Sequence, residues 1–424
     1  MMTGNLSTIG ALPMRWCLLL LGVCTLALPA RAEHRQYAVV VGSNASIDEG
    51  VAPLRFADDD AARYAELLGP LSADLALLAV LDQDSQAVFP ELARRSVPPT
   101  RRAVDEALSH VARRVAGDRA AGHQTTLVFA FVGHGNVGPN REGYVSLLDG
   151  AFTRSDLFEK VIRGVEADFV HVIIDSCNAY LMVNRRGGEE RGPAYGDLVR
   201  GYLEEQELER YPHVGVVLST SGERESHEWA GFRAGVFSHE VLSALSGAAD
   251  VNGDARIEYS ELRAFVAAAN LKIEDPRARP DIFARPPARD RARPLVDLSA
   301  PGFERFLLFP ASFAGRFYIE DNRGVRLFDF NKAPDRSVAL ALPRKARYFV
   351  RTETTEASVE LAARGVVDVS ALTWRPLALA SRGSIDTTFR RSLFEVPYGL
   401  DFYRGYAATS GDLPVGEPVR RPPP

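Results

Sequence analysis

The sequence predicts an α/β protein: a mostly parallel sheet covered by helices, followed by a smaller all-β unit. Three observations point that way. Short runs rich in Val, Ile and Phe recur through residues 37–218, separated by segments with helical spacing. A stretch dense in Pro and Arg follows at 275–294. Beyond it the runs become short and close together, broken by turn residues, as in sandwiches and barrels. At 424 residues the chain is also too long for one ordinary core.

Taken in order, residues 1–32 read as a signal peptide. Arg15 precedes an apolar run over 16–28, and Ala30-Arg31-Ala32 matches the small-x-small cleavage pattern. The protein is therefore expected to be exported, to the periplasm or beyond. No later segment is long and apolar enough to cross a bilayer, so no stable membrane insertion is expected after cleavage. Residues 37–41 (YAVVV) read as a buried strand ended by Gly42-Ser43-Asn44. Residues 54–68 carry helical spacing and end at Gly69-Pro70. A second strand is expected at 75–81, and Thr100 caps a helix reaching about Val115. Further strands fall at 127–132 (LVFAFV), 169–174 (FVHVII) and 214–218 (VGVVL).

This first unit is expected to span 33–272, with 273–299 as a linker or surface strap. The runs at 303–309, 316–320, 326–330, 337–342, 348–352, 358–361 and 366–369 imply a β-sandwich-like unit over 300–410. Residues 411–424, ending in RRPPP, read as a disordered tail. The net charge is −5, and the signal segment contributes two arginines and no acid. There is no cationic excess to release counterions from phosphates, which argues against nucleic acid as a partner.

Cysteine usage narrows the chemistry. Cys17 and Cys24 lie in the signal segment, so the mature chain would keep Cys177 alone. A lone thiol in a compartment that favours disulfides is either an inert small hydrophobe or a reactive group. Its surroundings favour the second. In open α/β sheets, sites form beyond the carboxyl ends of the strands. The run LVFAFV ends on Gly133-His134-Gly135, and FVHVII ends on Asp175-Ser176-Cys177. Neighbouring strands would bring the His134 imidazole to the Cys177 thiol as its general base. The amides of Gly135 and Cys177 could then face a developing oxyanion. His171, in mid-strand, reads as a core residue, and His227 and His239 as structural in their loop and helix.

This pair of strand ends resembles the caspase-like fold of clan CD peptidases, the caspase-hemoglobinase fold. The separation of the two residues is close to the roughly 50 positions seen in caspases. Residues 54–68 (LRFADDDAARYAELL) resemble the family's first helix, and residues 219–236 the loop after its fifth strand. The likeness covers roughly residues 37–270 and is nearer to bacterial caspase-like proteins and metacaspases than to animal caspases. It implies a cysteine-type endopeptidase acting on proteins or peptides, with no cofactor required for the chemistry. His134 and Cys177 match the catalytic dyad, and Gly135 the oxyanion-hole amide. Asp175 and Asp60 match the acids of the S1 pocket, which implies cleavage after Arg or Lys. The family often continues Asp-x-Cys-His-Ser-Gly; here Asn178-Ala179-Tyr180 follow the cysteine, and Val132 replaces a small polar residue of S1. The long segment 180–212 carries Arg185, Arg186, Arg191 and Arg200, where self-cleavage would fall.

Residues 250–261 (DVNGDARIEYSE) read as an EF-hand-like calcium loop. Asp250, Asn252, Asp254, the carbonyl of Arg256, Glu258 and Glu261 fill the ligand positions, and Ala255 stands where Gly is usual. A polar turn between two helices is the plainer reading of the same residues. Two functional classes compete with a peptidase: an exported, non-catalytic binding or adhesion module, and an acyl transferase or ligase using the same dyad.

Overall fold

Alternation of apolar residues on both faces makes the first runs interior strands. In the computed structural model, β1 (His34–Ser43), β2 (Ser72–Ala79), β3 (Gln124–Gly133), β7 (Phe169–Asp175) and β8 (Val214–Ser219) form one parallel sheet. Three short strands, β4 (Gly135–Val137), β5 (Gly143–Ser146) and β6 (Ala151–Thr153), make a small antiparallel sheet between β3 and β7. The structure describes residues 32–140, 142–183, 208–219, 228–274, 280, 282–343, 347–360, 364–377, 392–412 and 415. Residues 1–31, which hold nearly all of the expected signal peptide, the arginines of 185–200 and His227 lie outside the described residues.

One face of the large sheet packs Tyr37, Val39, Phe129, Phe131, Val172 and Ile174 against α2 (Arg101–Ala120). Thr100 caps this helix, its hydroxyl accepting from the Ala103 amide at 3.2 Å. The other face packs Ala38, Val40, Ala130 and Ile173 against α1 (Ala57–Leu68), α3 (Val236–Ser243) and α4 (Tyr259–Asn270). His171 is a buried core residue of β7, its Nδ1 lying 2.6 Å from the Tyr259 hydroxyl.

The expected linker holds a strand. Residues Ile282–Arg285 form β9, which pairs antiparallel with β8 and closes the sheet at that edge, giving the order β9-β8-β7-β3-β1-β2. Pro280 and Pro286 bracket it; proline is tolerated at a strand end or an edge, where a missing N–H leaves no ladder bond broken. The density of Pro and Arg around three apolar residues hid the strand. Val296–Asp297 pairs in turn with Arg256–Ile257, so the segment is stitched into the first unit twice.

The C-terminal region is built from β10 (Arg305–Phe309), β11 (Gly315–Asp321), β12 (Arg326–Lys332), β13 (Val338–Ala341), β14 (Tyr348–Arg351), β15 (Thr355–Val359) and β16 (Gly365–Asp368). They form two sheets, β13-β10-β16 and β12-β11-β14-β15 extended by Arg375–Pro376. Phe309, Phe317 and Phe330 meet between them, with ring centroids 4.9–5.7 Å apart. Two features depart from a separate all-β unit. Helix α5 (Leu400–Ser410) ends on Gly411 in the left-handed conformation and lies against α4. And the cluster containing Phe306, Phe330 and Tyr348 is continuous with the one under α1, α3 and α4, so both units share a core.

Candidate active site

Strands β3 and β7 are neighbours, with Val132 opposite Asp175. The turns that follow them therefore leave the same end of the sheet side by side. The first turn carries His134 and the second Cys177. How closely they meet is set at Gly135: a Cβ there would collide with the Cys177 carbonyl oxygen and lie 2.7 Å from Ser176 Oγ. Only a residue without a side chain allows that approach.

The His134 ring is half-buried and hydrogen-bonded to the Ala52 backbone, while its Nε2 has no hydrogen-bond partner among the described residues. Burial lowers its pKa, offset in part by that bond and by the negative field of Asp48. A neutral imidazole near pH 7 follows, the state a general base requires. Asp48 was not legible in the sequence. It is held by Asn136 Nδ2 at 3.1 Å and by the Tyr144 hydroxyl, both from the small sheet that continues from His134.

Cys177 is partly exposed and carries a thiol, not a disulfide. Asn178 after it has φ 56°, in the left-handed region that Asn tolerates better than most residues. The chain then turns at once: the Ala179 amide donates to Ser176 O at 3.3 Å, and that of Leu181 to Asn178 O at 2.9 Å. Asn178 thus takes a left-handed conformation at the start of a tight turn directly after Cys177.

Asp60 and Asp175 are brought together. Asp60 Oδ2 accepts from the Gly235 amide at 2.7 Å, and its other oxygen lies 3.6 Å from Arg63 Nη1. Asp175 Oδ2 accepts from the Ser238 amide at 3.1 Å and hydroxyl at 2.6 Å. A Cβ on Gly235 would sit 3.2 Å from the first carboxylate and 3.3 Å from the second. Burial pushes Asp175 up to about 6, and Asp60 well above the usual carboxylate range despite Arg63.

Glu228 is a third acid that the sequence did not disclose. It lines the same pocket, accepts from the Arg55 and Phe56 amides at 2.8–2.9 Å, and is also raised by burial. Val132 contributes to the wall. The pocket holds about 30 Å³, room for a water or two and not for a guanidinium.

The 250–261 loop is closed by bonds from its own side chains to its own amides. Asp250 accepts from the Gly253, Asp254 and Ala255 amides at 2.7–3.2 Å, and Glu261 from those of Val251 and Glu258 at 3.0 and 2.9 Å. Asn252 and Asp254 bond the Asp254 and Arg256 amides in the same way. Ala255 adopts φ 63°, the conformation expected of the missing Gly. Arg336 reaches in from the C-terminal unit to the carbonyls of Ala248 and Asp250. The carboxylates thus serve their own loop, and among the described residues no three His, Cys, Asp or Glu side chains are disposed to hold a metal ion.

No protein-family model matches the chain, and no curated protein matches it. Solved structures do. A structural-genomics target from Geobacter sulfurreducens is 17% identical, covering 62% of this chain and 99% of its own, with a TM-score of 0.36. Caspase-1 from Spodoptera frugiperda is 10% identical over 50% of this chain and 69% of its own, TM-score 0.30. A structure of pro-sf-caspase-1 is 11% identical over 65% and 94%, TM-score 0.37.

Proposed function

We propose that this chain is an exported cysteine endopeptidase of the caspase-like kind, cleaving after Arg or Lys. The observation that carries the reading is the meeting of the His134 and Cys177 turns on adjacent parallel strands, with Gly135 pressed against Cys177. His134 takes the proton from Cys177, and the thiolate attacks the peptide carbonyl. The Gly135 and Cys177 amides hold the oxyanion. His134 returns the proton to the leaving amine, and water attacks the acyl-enzyme to release the new carboxylate and the thiol. The reaction uses no cofactor. Three acids in one pocket, Asp60, Asp175 and Glu228, support a basic P1 residue.

The test is a survey of fluorogenic peptides that differ at P1, on the wild type and on Cys177→Ala. Cleavage after Arg or Lys is expected, lost by at least a thousandfold in the variant. Cleavage that survives the substitution sinks the dyad. Iodoacetamide labelling at mildly acidic pH separates a peptidase from a non-catalytic binding module: an activated Cys177 reacts there, a structural thiol does not.

A further inference from the structure

Two of the pocket's three acids, Asp60 and Asp175, are held by a single segment, residues 232–238. Gly235 and Ser238 bond Asp60 and Asp175 directly. The Phe232 carbonyl accepts from Arg63 Nη2 at 3.1 Å, and Arg63 is the cation beside Asp60. What holds that segment comes from the C-terminal unit. His239, one residue beyond Ser238, has Nε2 2.8 Å from Asp329 Oδ2 on β12, and both side chains are fully buried. Arg326 grips both oxygens of the same carboxylate. Its guanidinium lies over the rings of Tyr318 and Phe232, 4.0 and 5.2 Å from their centroids. The His239 ring stacks on Phe232 at 3.9 Å and 15°. A further bond, from the Asp329 amide to Ser243 Oγ at 3.1 Å, ties β12 to the next turn of α3.

A buried ionic group of this kind adds little net stability, because desolvation offsets most of the attraction, and apolar residues could fill the same space. What it supplies is direction. A carboxylate fixed by a two-point guanidinium bond leaves one orientation for His239, and through it one register for the helix that begins at Val236.

We propose that Asp329 is a positioning residue of the acid pocket: by clamping His239 and Phe232 it sets Ser238 on Asp175 and Arg63 on Asp60. The C-terminal unit is then a working part of the specificity pocket and not an appended binding module. This rests on the peptidase reading above.

The experiment measures kcat/KM of Asp329→Asn for a P1-Arg peptide and for its P1-norleucine analogue, together with the rate of Cys177 alkylation. Selectivity for Arg should fall tenfold or more, mainly through KM for the Arg peptide, with the alkylation rate within twofold of wild type. Ser238→Ala should lose selectivity to a similar extent, and the double variant should lose little more than either single one, the sign of one shared path. If Asp329→Asn does not fold, Arg326→Lys keeps the charge and removes the two-point bond, and the same loss is expected on a smaller scale. Unchanged selectivity in a folded clamp variant, or full additivity with Ser238→Ala, overturns the proposal. Wild-type protein that cleaves nothing after Arg or Lys would instead fell the peptidase reading, and this role with it.

Discussion

At the scale of single residues, Gly135 sets how closely the His134 and Cys177 turns approach, and so whether the proposed dyad can form. A methyl group there meets the Cys177 carbonyl, a backbone atom that cannot swing aside. Displacing the nucleophile turn by a fraction of an ångström to relieve that clash misplaces the thiol, and misplacement near 1 Å costs about a hundredfold. Gly135→Ala should therefore lower kcat/KM by about two orders of magnitude while the melting temperature drops only slightly; wild-type activity in that variant would show that the two turns do not work as a unit. His134 and Cys177 could be found from sequence because each sits where an apolar run stops. Asp60 and Asp175 needed a family pattern. Glu228 and Asp48 could not be found by either route: each is an ordinary acid in a polar stretch, and each matters only because a distant segment folds onto it.

Elements follow the same logic. The central strands were legible because burial on both faces writes a continuous apolar run. Their ends were not: β1 and β3 each run two or more residues beyond the apolar stretch, carried by ladder bonds to their neighbours. Helix α1 begins at Ala57, not at Leu54, because the Arg55 and Phe56 amides bond to Glu228. The 250–261 loop shows an element whose shape overrides local preference. Ala255 holds φ 63°, which costs an L-residue roughly 1–2 kcal/mol, while Gly at the same position loses roughly 0.5–1 kcal/mol in chain entropy. Ala255→Gly should thus raise unfolding stability by about 0.5 kcal/mol in urea titration. Destabilisation by a similar amount would mean that the loop relaxes around the alanine.

For the whole molecule, the shared core means that the two units should unfold together, and the buried ionisable groups set how that stability varies with pH. Burial raises Asp59 and Asp175 to about 6 and Glu258 to about 7. A carboxyl whose folded pKa is raised adds stability below its unfolded value near 4, and this is lost as pH climbs through 6 to 7. Buried histidines act in the opposite sense: His34 and His239 are lowered to about 4 and His171 to about 3. Each adds stability above 6.5 that is lost as pH falls toward its folded value. Between pH 8 and 6.5 the carboxyls regain stability on protonation, while Lys332, lowered by burial to about 8, and the protonation of the histidines in the unfolded chain oppose them. Below 6.5 the two sets work against one another. Glu258→Gln isolates one group: a carboxyl raised to about 7 in the fold from near 4 in the unfolded chain loses its contribution across that range, so the melting temperature of the variant relative to wild type should climb by on the order of 2 °C from pH 5 to pH 8. A difference between the two proteins that stays flat with pH would mean that Glu258 ionises in the fold as it does in the unfolded chain.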